Sequence, residues 1–316
     1  MISSVSVFLS TAVVSLLITF PIVWTLSFFK LGQPVREEGP ASHRGKAGTP
    51  TMGGVGFVLT IIIISLILIN VEFHPAYLGL IILTLAFAGI GLADDLLKVV
   101  RRKNLGLTFW QKITLQCIAA GAFAILMTFL GHNLTGAGIL FKVGLYNSFL
   151  YPLFLTFIIV WAANATNLTD GLNGLLAGTA GIAFLFFAFL SAKFQAPEAV
   201  IFSLVCSGTV LPFLLFNFPR ARVFMGDVGS LALGAALAGL AIILRKELRL
   251  IIIGGVFVVE ALSVILQVAS YKLFKRRIFK MTPLHHTFEL MGIKEPVVVV
   301  GFWVVGLILG VIGIWI

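Results

Sequence analysis

Ten long apolar runs, separated by short polar connections, constrain this chain more than any other feature. They lie at roughly 4–29, 52–70, 77–93, 110–131, 149–165, 173–191, 198–217, 228–244, 250–271 and 298–316. About 20 mostly apolar residues suffice for a helix to cross a bilayer. Hydrophobic residues make up 59% of the chain and charged ones 11%, too little polar surface for a soluble protein of this length. The expected fold is therefore an all-α polytopic membrane protein of about ten transmembrane helices, a single domain over residues 1–316 with no soluble module. No Lys or Arg precedes the first run, which is too long for a signal-peptide core, so it reads as a retained helix. Cys117 and Cys206 stand alone in apolar runs without metal-like spacing and read as packing residues.

Ten helices place the connections alternately on two faces. The loops around 30–51, 94–112, 166–173, 218–228 and 272–297 carry seventeen Lys and Arg, and the opposite connections carry five. Loop cations mark the cytoplasmic side, so the first set is expected inside and both termini outside. The net charge of +10 is then an inner-face property that suits anionic lipid headgroups. No recognisable nucleic-acid fold or aromatic–basic interleaving accompanies it, so a nucleic-acid partner is not expected. The outer connection 132–148 has glycines and alternating apolar residues that predict a small hairpin or surface element.

The chain has only four aspartates, Asp94, Asp95, Asp170 and Asp227, and all fall at ends of apolar runs on the inner face. Carboxylates gathered on one membrane face are hard ligands of the kind a magnesium ion takes, which points to phosphate chemistry. The glycine-rich loop SHRGKAGTPTMGG, residues 42–54, leaves backbone N–H groups free to cradle a phosphate, beside Arg44 and Lys46. It lacks the Gly-Lys-Ser/Thr ending of a P-loop. Asp94 and Asp95 are about 100° apart on a helix and point to different partners, one of which can be Lys98. Asn167, Asp170 and Asn173 recur every third residue, which predicts one side of a helical turn bearing a ligand rather than a single cap. Asp227 lies between glycines just before the eighth run, where a helix N-terminus favours anions, and Phe224 nearby can stack on a base or anchor at the interface. His285 and His286 lie in a strongly basic loop, in a spacing unlike a helical zinc site, and fit phosphate contact or proton transfer. Glu260, with Gln267 two turns on, is the clear ionisable exception within the bilayer; a functional and a structural role are equally open for it.

SHRGKAGTPTMGG, the Asp94-Asp95 pair, NATNLTDGLNG, VFMGDVGS and MTPLHHTFEL occur in the order seen in the phospho-N-acetylmuramoyl-pentapeptide transferases, and the chain resembles that family over nearly its whole length. These enzymes belong to the polyprenyl-phosphate N-acetylhexosamine-1-phosphate transferase superfamily. The resemblance implies transfer of phospho-N-acetylmuramoyl-pentapeptide from UDP-MurNAc-pentapeptide to undecaprenyl phosphate, giving lipid I and UMP. It implies Mg²⁺ as cofactor, a homodimer, and a bacterial cytoplasmic (inner) membrane location with the active site on the cytoplasmic face. By motif position it implies Asp227 as the metal ligand, Asp94 and Asp95 as acidic catalytic residues, and His285 as a catalytic or phosphate-binding one. Lys46, Thr51, Lys112, Asn167, Asp170, Asn217, Phe224 and Gln267 fall among its substrate-binding surroundings, with Phe224 stacking on uracil; Asn173 and His286 are placed there too. Two departures stand out: the family commonly has Asp at the place of Asn173 and a third His at that of Thr287.

Direct attack by the lipid phosphate and a covalent phospho-aspartate both remain open on the sequence. So do two other readings. One is a sister enzyme transferring N-acetylglucosamine-1-phosphate, disfavoured by the adjacent His pair of PLHHTFE. The other is a transporter, disfavoured because the polar residues gather at the inner edge rather than at the midplane.

Overall fold

A computed structural model describes residues 4–29, 32, 48–69, 75–101, 105–131 and 150–316. Within them the chain forms twelve helices. These are α1 (Ser4–Phe28), α2 (Gly54–Ile69), α3 (Pro75–Arg101), α4 (Phe109–Phe129), α5 (Leu150–Thr169), α6 (Leu175–Lys193), α7 (Pro197–Asn217), α8 (Asp227–Ile243), α9 (Glu247–Ile253), α10 (Gly255–Phe274), α11 (Leu284–Leu290) and α12 (Glu295–Trp315). No strand is formed among the described residues; one isolated bridge joins Gly32 to Pro50. Eight helices are long and apolar enough to span a bilayer, and α2 and α8 are shorter apolar helices of 16 and 17 residues. Leu9, Val13, Leu17, Phe20 and Trp24 are exposed along α1, as expected of a face turned to lipid. The chain is an all-helical, multi-pass membrane protein.

The bundle is built around α8. Every residue from Val228 to Ile242 is buried, and beyond Asp227 at its start the helix carries only small and aliphatic side chains apart from Ser230. A helix apolar on all sides has no solvated face and belongs in the centre. Small residues then let neighbouring backbones approach closely. At Gly91 the approach is tightest, because a Cβ there would run into the Asp227 carbonyl. This contact lays the far end of α3 across the start of α8.

Three expectations need correction. The ninth run is not one helix, since the chain breaks at Gly254 into α9 and α10, with two successive glycines at the junction. The third run does not end before Asp94, because nothing in LLKVVR breaks a helix and α3 continues to Arg101. Asp94 and Asp95 therefore lie two turns inside the helix and not at its end. The last inner connection also holds a helix of its own, α11, opened by Pro283 as N-cap. Arg44, Lys46 and the connection 132–148 lie outside the described residues.

Candidate active site and metal centre

Four helices bring polar side chains to one end of the bundle. Asp227 is the first residue of α8, and the turn before it needs Gly226 at φ +79°, where a side chain would also press on an Asp95 oxygen. Asp95 is fully buried and accepts the Val228 N–H at 3.1 Å, so a carboxylate of α3 caps the α8 N-terminus. Asp94 accepts the Leu107 N–H at 2.8 Å, tying α3 to the segment that leads into α4. There Thr108 and Gln111 form a capping box that starts α4 and sets the place of Lys112 on its first turn. From α5, Asn167 donates to Asp227 Oδ1 and to Ser230 Oγ, both at 2.8 Å.

Ligand oxygens of Asp94, Asp95 and Asp227 lie within 4.8 Å of one another. The Lys98 ammonium stands among them, 2.6 Å from Asp94 Oδ2, 3.0 Å from Asp227 Oδ2 and 3.6 Å from Asp95 Oδ1. Lys112 adds a second ammonium 2.6 Å from Asp227 Oδ2. Three carboxylates against two ammoniums leave a half-buried excess of negative charge, and all the converging donors are hard oxygens. That donor set fits a divalent cation of the magnesium type, which takes a few carboxylates and fills its remaining positions with water or phosphate oxygens.

Asp170 follows the last turn of α5 and is half-buried; among the described residues no side chain is seen bonded to its carboxyl. Burial, with the charges of Asp227 and Asp95 nearby, pushes its pKa up to about 7. Asn167, Asp170 and Asn173 do not share one helical face, as their spacing predicted. The helix stops at Thr169, so Asn167 turns to Asp227 while the Asn173 amide donates to the Pro219 carbonyl at 3.2 Å.

Several expected substrate contacts hold the loops together. Asn217 accepts the Gly174 N–H at 2.6 Å and donates to the Val223 carbonyl at 2.8 Å. Gln267 accepts the N–H groups of Ile278 and Phe279 and donates back to the Phe279 carbonyl, clamping the basic loop onto α10. Phe224 is half-buried, and its backbone pairs with Pro50 and Gly53, which brings the buried Thr51 hydroxyl up to Gly226. His285 is fully buried beside Glu260, whereas His286 is partly exposed and its Nδ1 lies 2.8 Å from Glu289. Thr287, one of the two departures, exchanges hydrogen bonds with the Met281 backbone and closes the turn before α11. Lys46 lies outside the described residues.

Lys98 belongs to this polar cluster although the motifs did not mark it as a candidate site residue. Its signal was its position, three residues after Asp95 and four after Asp94 on one helix. Ser230 is a second such residue, placed on α8 one turn beyond Asp227.

The helical bundle and its carboxylate cluster define a class: a polytopic membrane protein with a divalent-cation-type centre at one end of the bundle. Residues 77–245 match the family model for glycosyl transferase family 4. The chain is 48% identical over 294 residues to the phospho-N-acetylmuramoyl-pentapeptide-transferase of Shouchella clausii (strain KSM-K16), covering 91% of this chain and 89% of that one. It is 49% identical over 313 residues to that of Staphylococcus epidermidis (strain ATCC 12228 / FDA PCI 1200), covering 96% and 98%. Against that of Bacillus subtilis (strain 168) the identity is 46% over 309 residues, covering 96% and 94%. The chain belongs to the phospho-N-acetylmuramoyl-pentapeptide transferase family.

Proposed function

We propose that this protein transfers phospho-N-acetylmuramoyl-pentapeptide from UDP-MurNAc-pentapeptide to undecaprenyl phosphate, giving lipid I and UMP for peptidoglycan synthesis. The observation that carries the reading is the meeting of Asp94, Asp95 and Asp227 with Lys98, Lys112 and Asn167 at one end of the bundle, in a chain of this family. The seventeen-to-five division of cations favours a cytoplasmic position for that end, and a bacterial inner membrane, with the UDP-linked donor on its cytoplasmic side, belongs to the same reading.

Asp94, Asp95 and Asp227 would hold the Mg²⁺, which when bound supplies positive charge to the donor pyrophosphate and the departing UMP. The protein's own part is positioning and charge. Lys98 and Lys112 bring two ammoniums to the same spot and attract the phosphates. Asn167 fixes the Asp227 carboxylate from its other oxygen. An oxygen of the lipid phosphate attacks the sugar-linked phosphorus. The bond from that phosphorus to the bridging oxygen breaks, and UMP leaves with the electron pair. A phosphomonoester has its second pKa near 6, so the nucleophile is mostly ionised at neutral pH without a strong base. Asp94 and Asp95 each commit one oxygen to a backbone N–H, of Leu107 and Val228. Carboxylates fixed in this way suit orientation better than nucleophilic attack, which favours direct displacement over a phospho-aspartate.

An apolar groove of about 540 Å³ runs between α5, α8, α9 and α10, lined by Trp161, Leu237, Ile251, Gly254 and Phe257 among others. It reaches Thr166, the neighbour of Asn167, and suits the isoprenoid chain of the acceptor. A homodimer in the membrane belongs to the same reading.

The test is UMP release by purified protein with Mg²⁺ and undecaprenyl phosphate, comparing UDP-MurNAc-pentapeptide with UDP-GlcNAc. Release with the muramoyl donor alone is expected. Release with UDP-GlcNAc alone would move the chain to the sister activity and overturn the reading.

A further inference from the structure

His285 has a place that a substrate contact does not explain. It is fully buried, and neither of its ring nitrogens has a well-aligned hydrogen-bond partner. Beneath it lies Glu260 of α10, also fully buried. Glu260 accepts the His285 backbone N–H, with its Oε1 at 3.2 Å and Oε2 at 3.5 Å, and its Oε2 is 3.2 Å from His285 Nδ1. On the far side the imidazole edge lies against Gly171, where a Cβ would strike Nε2. Gly171 directly follows Asp170, whose carboxyl feels Asp227 and Asp95. The other side of this turn is held by Leu172, buried in a small apolar cluster with Leu175, Val256, Val299 and Phe302.

We propose that Glu260 and His285 form a buried brace that sets the height of the 170–173 turn, and with it the Asp170 carboxylate, over the acidic centre. Glu260 is then a positioning residue, acting through His285 and Gly171 on Asp170. His286, on the next position, is the partly exposed member of the histidine pair and turns to Glu289 instead. A buried acid in a membrane helix is costly unless its partner is worth the cost. Here the partner is the first free N–H region of α11, an orphan donor that Pro283 at the N-cap leaves without a side-chain acceptor of its own.

The brace makes two independent demands. Loss of the acceptor at position 260 should free the turn. Filling the space at Gly171 should push on the same ring. The variants are Glu260→Leu, Glu260→Gln, His285→Ala, Gly171→Ala and the double variant Gly171→Ala/His285→Ala. Each is read in full-length detergent-solubilised protein by hydrogen–deuterium exchange of peptides covering 167–175, and by kcat and KM for the UDP-linked donor. Glu260→Leu should speed exchange across 167–175 and lower kcat roughly 10²-fold, the scale of a misplacement of about 1 Å at a reacting centre, with a smaller change in KM. Glu260→Gln keeps an oxygen for the His285 N–H and should retain kcat within about tenfold. Gly171→Ala should cost less in the His285→Ala background than in the wild type, since the ring it would strike is gone. Wild-type exchange at 167–175 in Glu260→Leu would overturn the brace. So would a Glu260→Gln variant as impaired as Glu260→Leu, or additive effects at positions 171 and 285. The kinetic arm rests on the transferase reading and the exchange arm does not. Wild-type protein without turnover would count against that reading alone, leaving exchange to judge the brace.

Discussion

Asp227 is held on both of its carboxylate oxygens, with two ammoniums on one and the Asn167 amide on the other. Asp227→Asn keeps the shape and removes the charge. We expect turnover to fall by about 10²–10³-fold, the scale for losing one preorganised electrostatic partner of a transition state. Mn²⁺ binding, followed by electron paramagnetic resonance, should weaken in parallel; unchanged binding would remove Asp227 from the ligand set. Asp170 offers a second test through pH. Its carboxyl holds a proton up to about pH 7 in the fold, well above its ordinary range near 4. The folded state therefore binds that proton more tightly than the unfolded chain, and ionisation costs stability as pH rises from about 4 to above 7. Asp170→Asn escapes that cost. With chelator present, its melting temperature should match the wild type at pH 4 and exceed it at pH 8, and a gain at both pH values would refute the assignment. Much at this scale was legible in the sequence, because four aspartates in an apolar chain leave few choices. What was not legible is which polar residues face the centre. The family resemblance puts Asn217 and Gln267 among the substrate-binding surroundings, yet here their amides are satisfied by loop backbone. That outcome depends on where the 218–223 and 275–283 segments return, a tertiary fact with no local signal.

Among elements, the crossing of α3 on α8 is decisive, because it sets Asp94 and Asp95 against Asp227. Gly91 permits it, and its role lies in the absent Cβ rather than in backbone freedom, since it sits inside a regular helix. Gly91→Ala would force α3 off α8. A loss of about 1–3 kcal/mol is expected from such overpacking, read as a lowered detergent melting temperature. Metal affinity should drop with it, since two of the three carboxylates ride on the displaced helix. Full stability with full Mn²⁺ affinity would show that the crossing tolerates the methyl. The helices themselves were readable as apolar runs, and their number of candidate spans was close. Their ends were not. Hydropathy reports where lipid stops, whereas α3 continues two turns further on helix-forming residues, and it is in those turns that Asp94, Asp95 and Lys98 lie. The break at Gly254 is invisible to a hydropathy window for the same reason, because both sides of it are apolar.

Across the whole molecule two environments meet. A charged centre lies at one end of the bundle, and an apolar groove opens along α5, α8, α9 and α10 toward the other. A transferase joining a water-soluble donor to a lipid acceptor needs both, with the seam between them at the reacting phosphate. Here the seam is two successive residues of α5: Thr166 lines the groove and Asn167 grips Asp227. If the groove receives the acceptor chain, narrowing it should act on one substrate only. Val258 lines it from α10 and is half-buried, so tryptophan there fills space without opening the core. Val258→Trp should raise KM for undecaprenyl phosphate by about 10–200-fold, by losing contacts worth roughly 1–3 kcal/mol, while KM for UDP-MurNAc-pentapeptide stays put. A short-chain prenyl phosphate, too small to fill the groove, should be used almost as well by the variant as by the wild type. Equal losses with long and short acceptors would mean that the chain runs elsewhere along the bundle and that the groove serves packing alone.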